Sequence, residues 1–152
     1  MRLWLLAVGK ARPGPHRDLY DFYAGRLRWP IKLVEVDEKR KLAPDALKAR
    51  EAELLLAQLP KGATLCALDE HGKVETSAGL ASLLGKWQDN GVTDLAFAIG
   101  GADGHGAALL ERADRKLSLG ALTWPHMLVR GMLAEQLYRA QQILAGHPYH
   151  RE

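Results

Sequence analysis

Two stretches of this 152-residue chain carry groups suited to chemistry. The first is Leu117-Ser-Leu-Gly-Ala-Leu-Thr-Trp-Pro-His126, an apolar run too short for a helix that passes through Gly120, meets Pro125 and then turns strongly amphipathic. That pattern predicts a strand, a tight loop and a helix. Such a loop collects free backbone N–H groups and a positive helix end, which is where α/β proteins bind ligands. The second stretch is residues 146–152, which pack His147, Tyr149, His150 and Arg151 behind the end of a helix. A cluster of that kind at a chain end is not core material.

Other motifs point less sharply. Residues 100–106 are rich in glycine and follow an apolar run, so a ligand could approach the backbone there, although a tight turn has the same composition. No Gly-Lys-Ser/Thr follows, as a P-loop needs, and no GxGxxG stands on the first strand with an acidic residue about 20 positions on. His147 and His150 are separated by Pro148 and match no metal-ligand spacing, so no metal site is expected. Gly-x-Ser-x-Gly is absent, which leaves a hydrolase nucleophile unsupported. The single cysteine, Cys66, lies in an apolar run and reads as a small buried hydrophobe.

The elements that would hold these groups alternate along the chain. Strands are expected at residues 3–8, 31–36, 63–68 and 94–99, and a last one ahead of Gly120. Helices are expected from Pro13 or Pro15 through Arg28, from Pro44 to about Gln58, from a cap at Ser77 to the Asn90-Gly91 stop, briefly over 107–113, and over 127–145. Residues 69–75 read as a polar loop. Five strands alternating with helices predict an α/β fold with a mostly parallel sheet flanked by helices. On the last helix, Val129, Met132, Leu133, Leu137, Ala140, Ile143 and Leu144 share a broad apolar face, Arg130 and Arg139 lie on its borders, and Gln136 falls near its middle. That describes an ordinary core helix, or one whose stripe packs partly on a second subunit.

With 47% hydrophobic residues the length suits one domain, 1–152, with a real core. The apolar opening, residues 1–9, is too short for a signal segment or a bilayer span, which predicts a cytosolic protein. Net charge is +3 and the isoelectric point near 9.1. The cations gather in patches, Lys10, Arg12, His16 and Arg17; Arg26 and Arg28; Lys39, Arg40 and Lys41. An excess of this size is compatible with RNA binding without requiring it.

Taken together and in order, Ile99-Gly-Gly, Leu117-Ser-Leu, Leu122-Thr-Trp-Pro-His126, Leu128-Val-Arg130, Glu135-Gln-Leu-Tyr-Arg-Ala140 and His147-Pro-Tyr-His-Arg-Glu152, with the start Met1-Arg-Leu-Trp, resemble the RlmH family. Its members are bacterial SPOUT-class methyltransferases that act on N3 of a pseudouridine in 23S ribosomal RNA. The resemblance covers the whole length. It implies a C-terminal trefoil knot, a homodimer, and S-adenosylmethionine bound in the knot at the subunit interface. Carried over by position, cofactor contacts fall on Leu68, Gly100, Leu119, Gly120, Ala121, Leu122, Thr123 and Trp124. His126, Arg130, Arg139, His150 and Arg151 would be catalytic, and His147 and Tyr149 would face the RNA. The chain departs from the family pattern at Gly120, Trp124 and Ala102-Asp103, all in or beside the implied cofactor loops.

Such a transfer needs in-line positioning, a dry pocket and an acceptor for one proton, for which a histidine, titrating near neutrality, is the natural candidate. Two other readings remain open on the residues alone. One is a flavodoxin-like nucleotide-binding enzyme, and the other a ribosome-associated RNA-binding protein without catalysis.

Overall fold

A computed structural model describes residues 1–150, the last of them by its backbone alone. The chain runs β1 (Arg2–Val8), α1 (Pro15–Ala24), β2 (Ile31–Val36), α2 (Pro44–Ala57), β3 (Thr64–Val74), α3 (Ser77–Asp89), β4 (Asp94–Ile99), α4 (Ala107–Arg112), β5 (Arg115–Ser118) and α5 (His126–Leu144), then a 3-10 turn, Pro148–His150. The strands form one sheet in the order β2-β1-β4-β3-β5, with every pairing parallel. A flavodoxin-like sheet would run β2-β1-β3-β4-β5. Here β3 and β4 exchange places, which removes that reading.

Alternation of side chains along each strand divides the core in two. Leu3, Leu5, Cys66, Leu95 and Phe97 face Tyr20 of α1, Leu80 and Leu84 of α3, and Leu133 and Leu137 of α5. Leu6, Val8, Leu65, Ala96 and Ala98 face Ala52 and Leu55 of α2 and Leu109 of α4. β4 is buried along its whole length, as the unbroken apolar run 95–99 requires of a central strand covered on both faces. Cys66 is fully buried and burial pushes its thiol up to about 12, so it is a core residue and no nucleophile.

Four local expectations change. α1 stops at Ala24 rather than Arg28, and Gly25 caps it by donating to the Asp21 carbonyl. β3 continues through the expected polar loop to Val74, because after a register shift its pairing with β5 resumes at Lys73↔Leu117 and Val74↔Ser118. Gly72 permits this, since a Cβ there would come within 2.7 Å of the Lys116 carbonyl carbon. Thr76, not Ser77, caps α3 by accepting from the Gly79 N–H at 2.9 Å. Ser77 instead donates to Gln136 Oε1 at 2.7 Å, tying α3 to α5. Finally, the middle of the apolar stripe of α5 is taken up inside the protomer, with Leu133, Leu137 and Ala140 at most 1% exposed between α1, α3 and the sheet, while Val129, Met132 and Ile143 are half-buried and Leu144 is exposed.

Candidate active site

The carboxyl ends of β4 and β5, with β3 from Leu68 where its pairing to β4 stops, open onto a cleft of about 470 Å³. Leu68 and Asp69 reach it from β3, Ile99 and Gly100 from the end of β4, and Leu119, Gly120, Leu122, Thr123 and Trp124 from the loop after β5. His126 and Val129 enter from the first turn of α5. Every sequence-assigned cofactor residue except Ala121, which is exposed beside them, lines this one cleft.

Local chemistry shapes the loop. Gly120 has φ 110°, a left-handed value that favours glycine. The Ser118 hydroxyl accepts from the Gly120 N–H at 3.1 Å and donates to its carbonyl at 3.2 Å, closing the turn at the strand end. The Trp124 indole N–H reaches the Leu119 carbonyl at 3.4 Å across the same loop. Leu122 is 69% exposed and Trp124 38%, so both project apolar surface from the cleft wall.

Beneath the cleft lie two groups that sequence reasoning missed. His105 is buried, its Nε2 lies 3.1 Å from the Ala98 carbonyl, and a Cβ on Gly100 would meet its Nδ1 at 3.2 Å. Burial lowers its pKa below the usual histidine range, although the Ala98 carbonyl and Asp69 pull the other way. Glu51 of α2 is also buried, and its carboxylate sits 3.1 Å from where a Gly101 side chain would begin. Burial, then Asp103 and Asp37, raises its pKa. Only a histidine inside the glycine run could have drawn attention to this floor, and nothing in the α2 pattern marks Glu51.

His126 lines the cleft half-buried, and burial followed by the nearby Arg130 charge lowers its pKa. Both effects favour the neutral imidazole. Arg130 does not sit on an exposed border. Its side chain is 2% exposed, with Nη1 2.5 Å from Glu35 Oε2 and Nη2 2.9 Å from the Gly9 carbonyl and 3.3 Å from that of Val8. At this end of α5 the neighbouring layer is the carboxyl end of β1, whose free carbonyls attract a donor. Burial acts to raise the Glu35 carboxyl, but the Arg130 hydrogen bond and the Ala11 N–H outweigh it and hold the pKa low.

Arg139, His147 and Tyr149 gather elsewhere. Arg139 pairs with Glu135 at 2.5 Å, the Tyr149 hydroxyl donates to the same carboxylate at 3.2 Å, and the Tyr149 ring meets Tyr138 edge-on at 4.8 Å between centroids. The His147 N–H donates to the Gln142 carbonyl at 2.9 Å, folding the tail back along α5. Burial, with Glu135 and Tyr23 close by, raises the Tyr149 pKa. The His150 side chain and Arg151 lie outside the described residues. His126 and Arg139 stand thirteen positions apart on α5, a span of about 20 Å, whereas Glu135, which holds Arg139 and Tyr149, lines another recess with Leu117, Leu119 and Gly120.

The family described as predicted SPOUT methyltransferase matches residues 1–150. Ribosomal RNA large subunit methyltransferase H of Rhodospirillum centenum is 60% identical over 99% of both chains, and that of Paramagnetospirillum magneticum 61% over the same shares. The chain belongs to the RlmH family of SPOUT methyltransferases. In fold it also matches a Legionella pneumophila methyltransferase solved with its cofactor SAM bound, at TM-score 0.50 and 12% identity, over 92% of this chain and 66% of that one. For an RlmH-family chain, the cleft at the strand ends and the loop from Leu119 to Trp124 are thus the features to explain chemically. No helix among the described residues is long and apolar enough to cross a membrane.

Proposed function

We propose that this chain transfers a methyl group from S-adenosylmethionine to N3 of a pseudouridine in 23S ribosomal RNA. It works as a homodimer in which each active site draws on both copies, with the family's trefoil knot built around the cofactor loops, in a single domain in the cytoplasm. One observation carries the reading: Leu68, Gly100, five of the six loop residues 119–124 and His126 converge on one cleft at the ends of three parallel strands. The relatives' name supports large-subunit ribosomal RNA as substrate, and the SAM held by the Legionella protein supports the cofactor class.

The cleft suits such a cofactor. Leu68, Ile99, Leu117 and Leu119 offer apolar walls for an adenine ring, and Gly100 and Gly101 present bare backbone. Asp69, Glu70 and Asp103 line the same cleft and complement the positive amino and sulfonium groups. When bound, the cofactor supplies a methyl group already activated as an electrophile. The chain's own residues then orient the nucleotide, keep water out and accept one proton.

His126, on the cleft wall where burial favours its neutral form, accepts the N3 proton. Arg130 is its positioning residue, holding the first turns of α5 to β1 and β2 through Glu35, Val8 and Gly9. Arg139, about 20 Å along α5 from His126, serves the partner's cleft together with His147, Tyr149, His150 and Arg151, where the tyrosine stacks on a base and the cations hold phosphate. The experiment is calorimetry with S-adenosylmethionine alongside transfer of labelled methyl to ribosomes, with the modified base located by a reverse-transcription stop. RNA binding without transfer would favour the non-catalytic alternative and sink this reading.

A further inference from the structure

Next to the cleft, across Gly9, a second recess of about 540 Å³ opens between residues 10–17, β2 and the start of α5. The two recesses share a wall. A Cβ on Gly9 would meet Met127 Cε at 3.1 Å and His126 Nε2 at 3.7 Å, and while His126 lines the cleft, Met127 and Arg130 line the recess. Consecutive residues of one helical turn thus face the two openings.

The recess is built for an anion. Lys10, Arg12, His16 and Arg17 stand exposed around it. Lys10 and Arg12 have no carboxylate partner among the described residues, and Arg17 has only a loose 3.9 Å contact to Asp21. Asp21 and Glu35 are the acidic groups in the lining, and Glu35 is already engaged by Arg130 and by the Ala11 N–H at 2.7 Å. The ten-residue helix α1 begins here behind Gly14 with no side-chain cap, leaving the His16 and Arg17 N–H groups without intrahelical acceptors. Arg130, 2% exposed, contributes a guanidinium to the lining whose Nε is buried without a partner.

We propose that this recess binds phosphodiester groups of the RNA strand that flank the nucleotide presented to the cleft. The inference rests on the RNA-methylating reading above and adds where the backbone of that RNA is held. Phosphate contacts fix register and orientation, so a grip one helical turn from His126 aligns the base in the cleft without reading its sequence.

The test compares wild type with Lys10→Ala/Arg12→Ala and with Lys39→Ala/Lys41→Ala, a second exposed basic cluster outside the recess. Ribosome binding is measured across a salt series, with cofactor calorimetry and single-turnover methylation in parallel. Both recess residues are exposed, so the variant folds. It is expected to bind ribosomes at least about tenfold more weakly, with the slope of log affinity against log salt reduced by about one to two and cofactor affinity unchanged. The control pair should retain the wild-type slope. A wild-type slope in the recess variant, with methylation intact, overturns the proposal and leaves the function standing. An equal loss in the control pair reduces the effect to general charge and also overturns it. A wild type without salt-dependent ribosome affinity overturns both readings together.

Discussion

Removing the Arg130 guanidinium would leave the Glu35 carboxylate without its cation and the Val8 and Gly9 carbonyls without their donor. Arg130→Met should therefore lower stability by about 3–5 kcal/mol in denaturant titration, while Glu35→Gln/Arg130→Met recovers part of that loss because no uncompensated charge remains. The same pair sets an acid response. The folded pKa of Glu35 lies below its unfolded value, so its contribution is present above the unfolded pKa, about 4.3, and is lost as pH falls through the folded value. Glu35→Gln should flatten the acid limb of the stability profile, and an unchanged limb would show that other carboxylates carry it. Gly100 makes a separate point. A side chain there would crowd Gly104 at 3.1 Å and His105 at 3.2 Å before reaching any ligand. Gly100→Val should abolish cofactor binding by displacing the turn, and unchanged calorimetric affinity would exclude Gly100 from the site.

In the proposed reaction the first turn of α5 and the tail behind it have separate parts. Burial and Arg130 favour the neutral imidazole of His126, so methylation should rise with pH and level off once that group is deprotonated, and His126→Ala should lose both rate and pH dependence. A pH profile identical in the variant would assign the proton to another group. The tail folds onto α5 through Tyr149, Tyr138 and Glu135, and among the described residues none of 146–149 lines the cleft. Deleting residues 146–152 should uncover Tyr138, lower the melting temperature slightly, leave cofactor affinity intact and collapse methyl transfer. Wild-type transfer by the truncated chain would make the tail ordinary surface.

Assembly is the remaining test of the composite site. In the proposed composite site Arg139, about 20 Å along α5 from His126, comes from a second copy and brings Tyr149 with it. His126→Ala and Arg139→Ala should each be nearly inactive, yet mixing them after subunit exchange should restore a measurable fraction of wild-type transfer, since some heterodimers then hold one intact site. No recovery, or a monomer in sedimentation at micromolar concentration, would confine the active site to a single chain.

Much of this was legible in the residues alone. The alternation of strands and helices, the buried run of β4, the Asn90-Gly91 stop of α3 and the strand-loop-helix around Gly120 all follow from local periods and turn chemistry, which each segment carries by itself. The family was legible too, because the ordered motifs from Leu117 to Glu152 persist in the text of the chain. The exchange of β3 and β4 was not, since strand order depends on contacts between segments far apart, which no periodicity records. Nor was the extension of β3 past Leu68, which polar residues disguise and which exists because β5 offers it hydrogen bonds beyond a register shift. Arg130 looked like a surface cation on a helical border. Only the folded chain placed β1's terminal carbonyls and Glu35 against it, and a buried guanidinium is stable only where such acceptors converge.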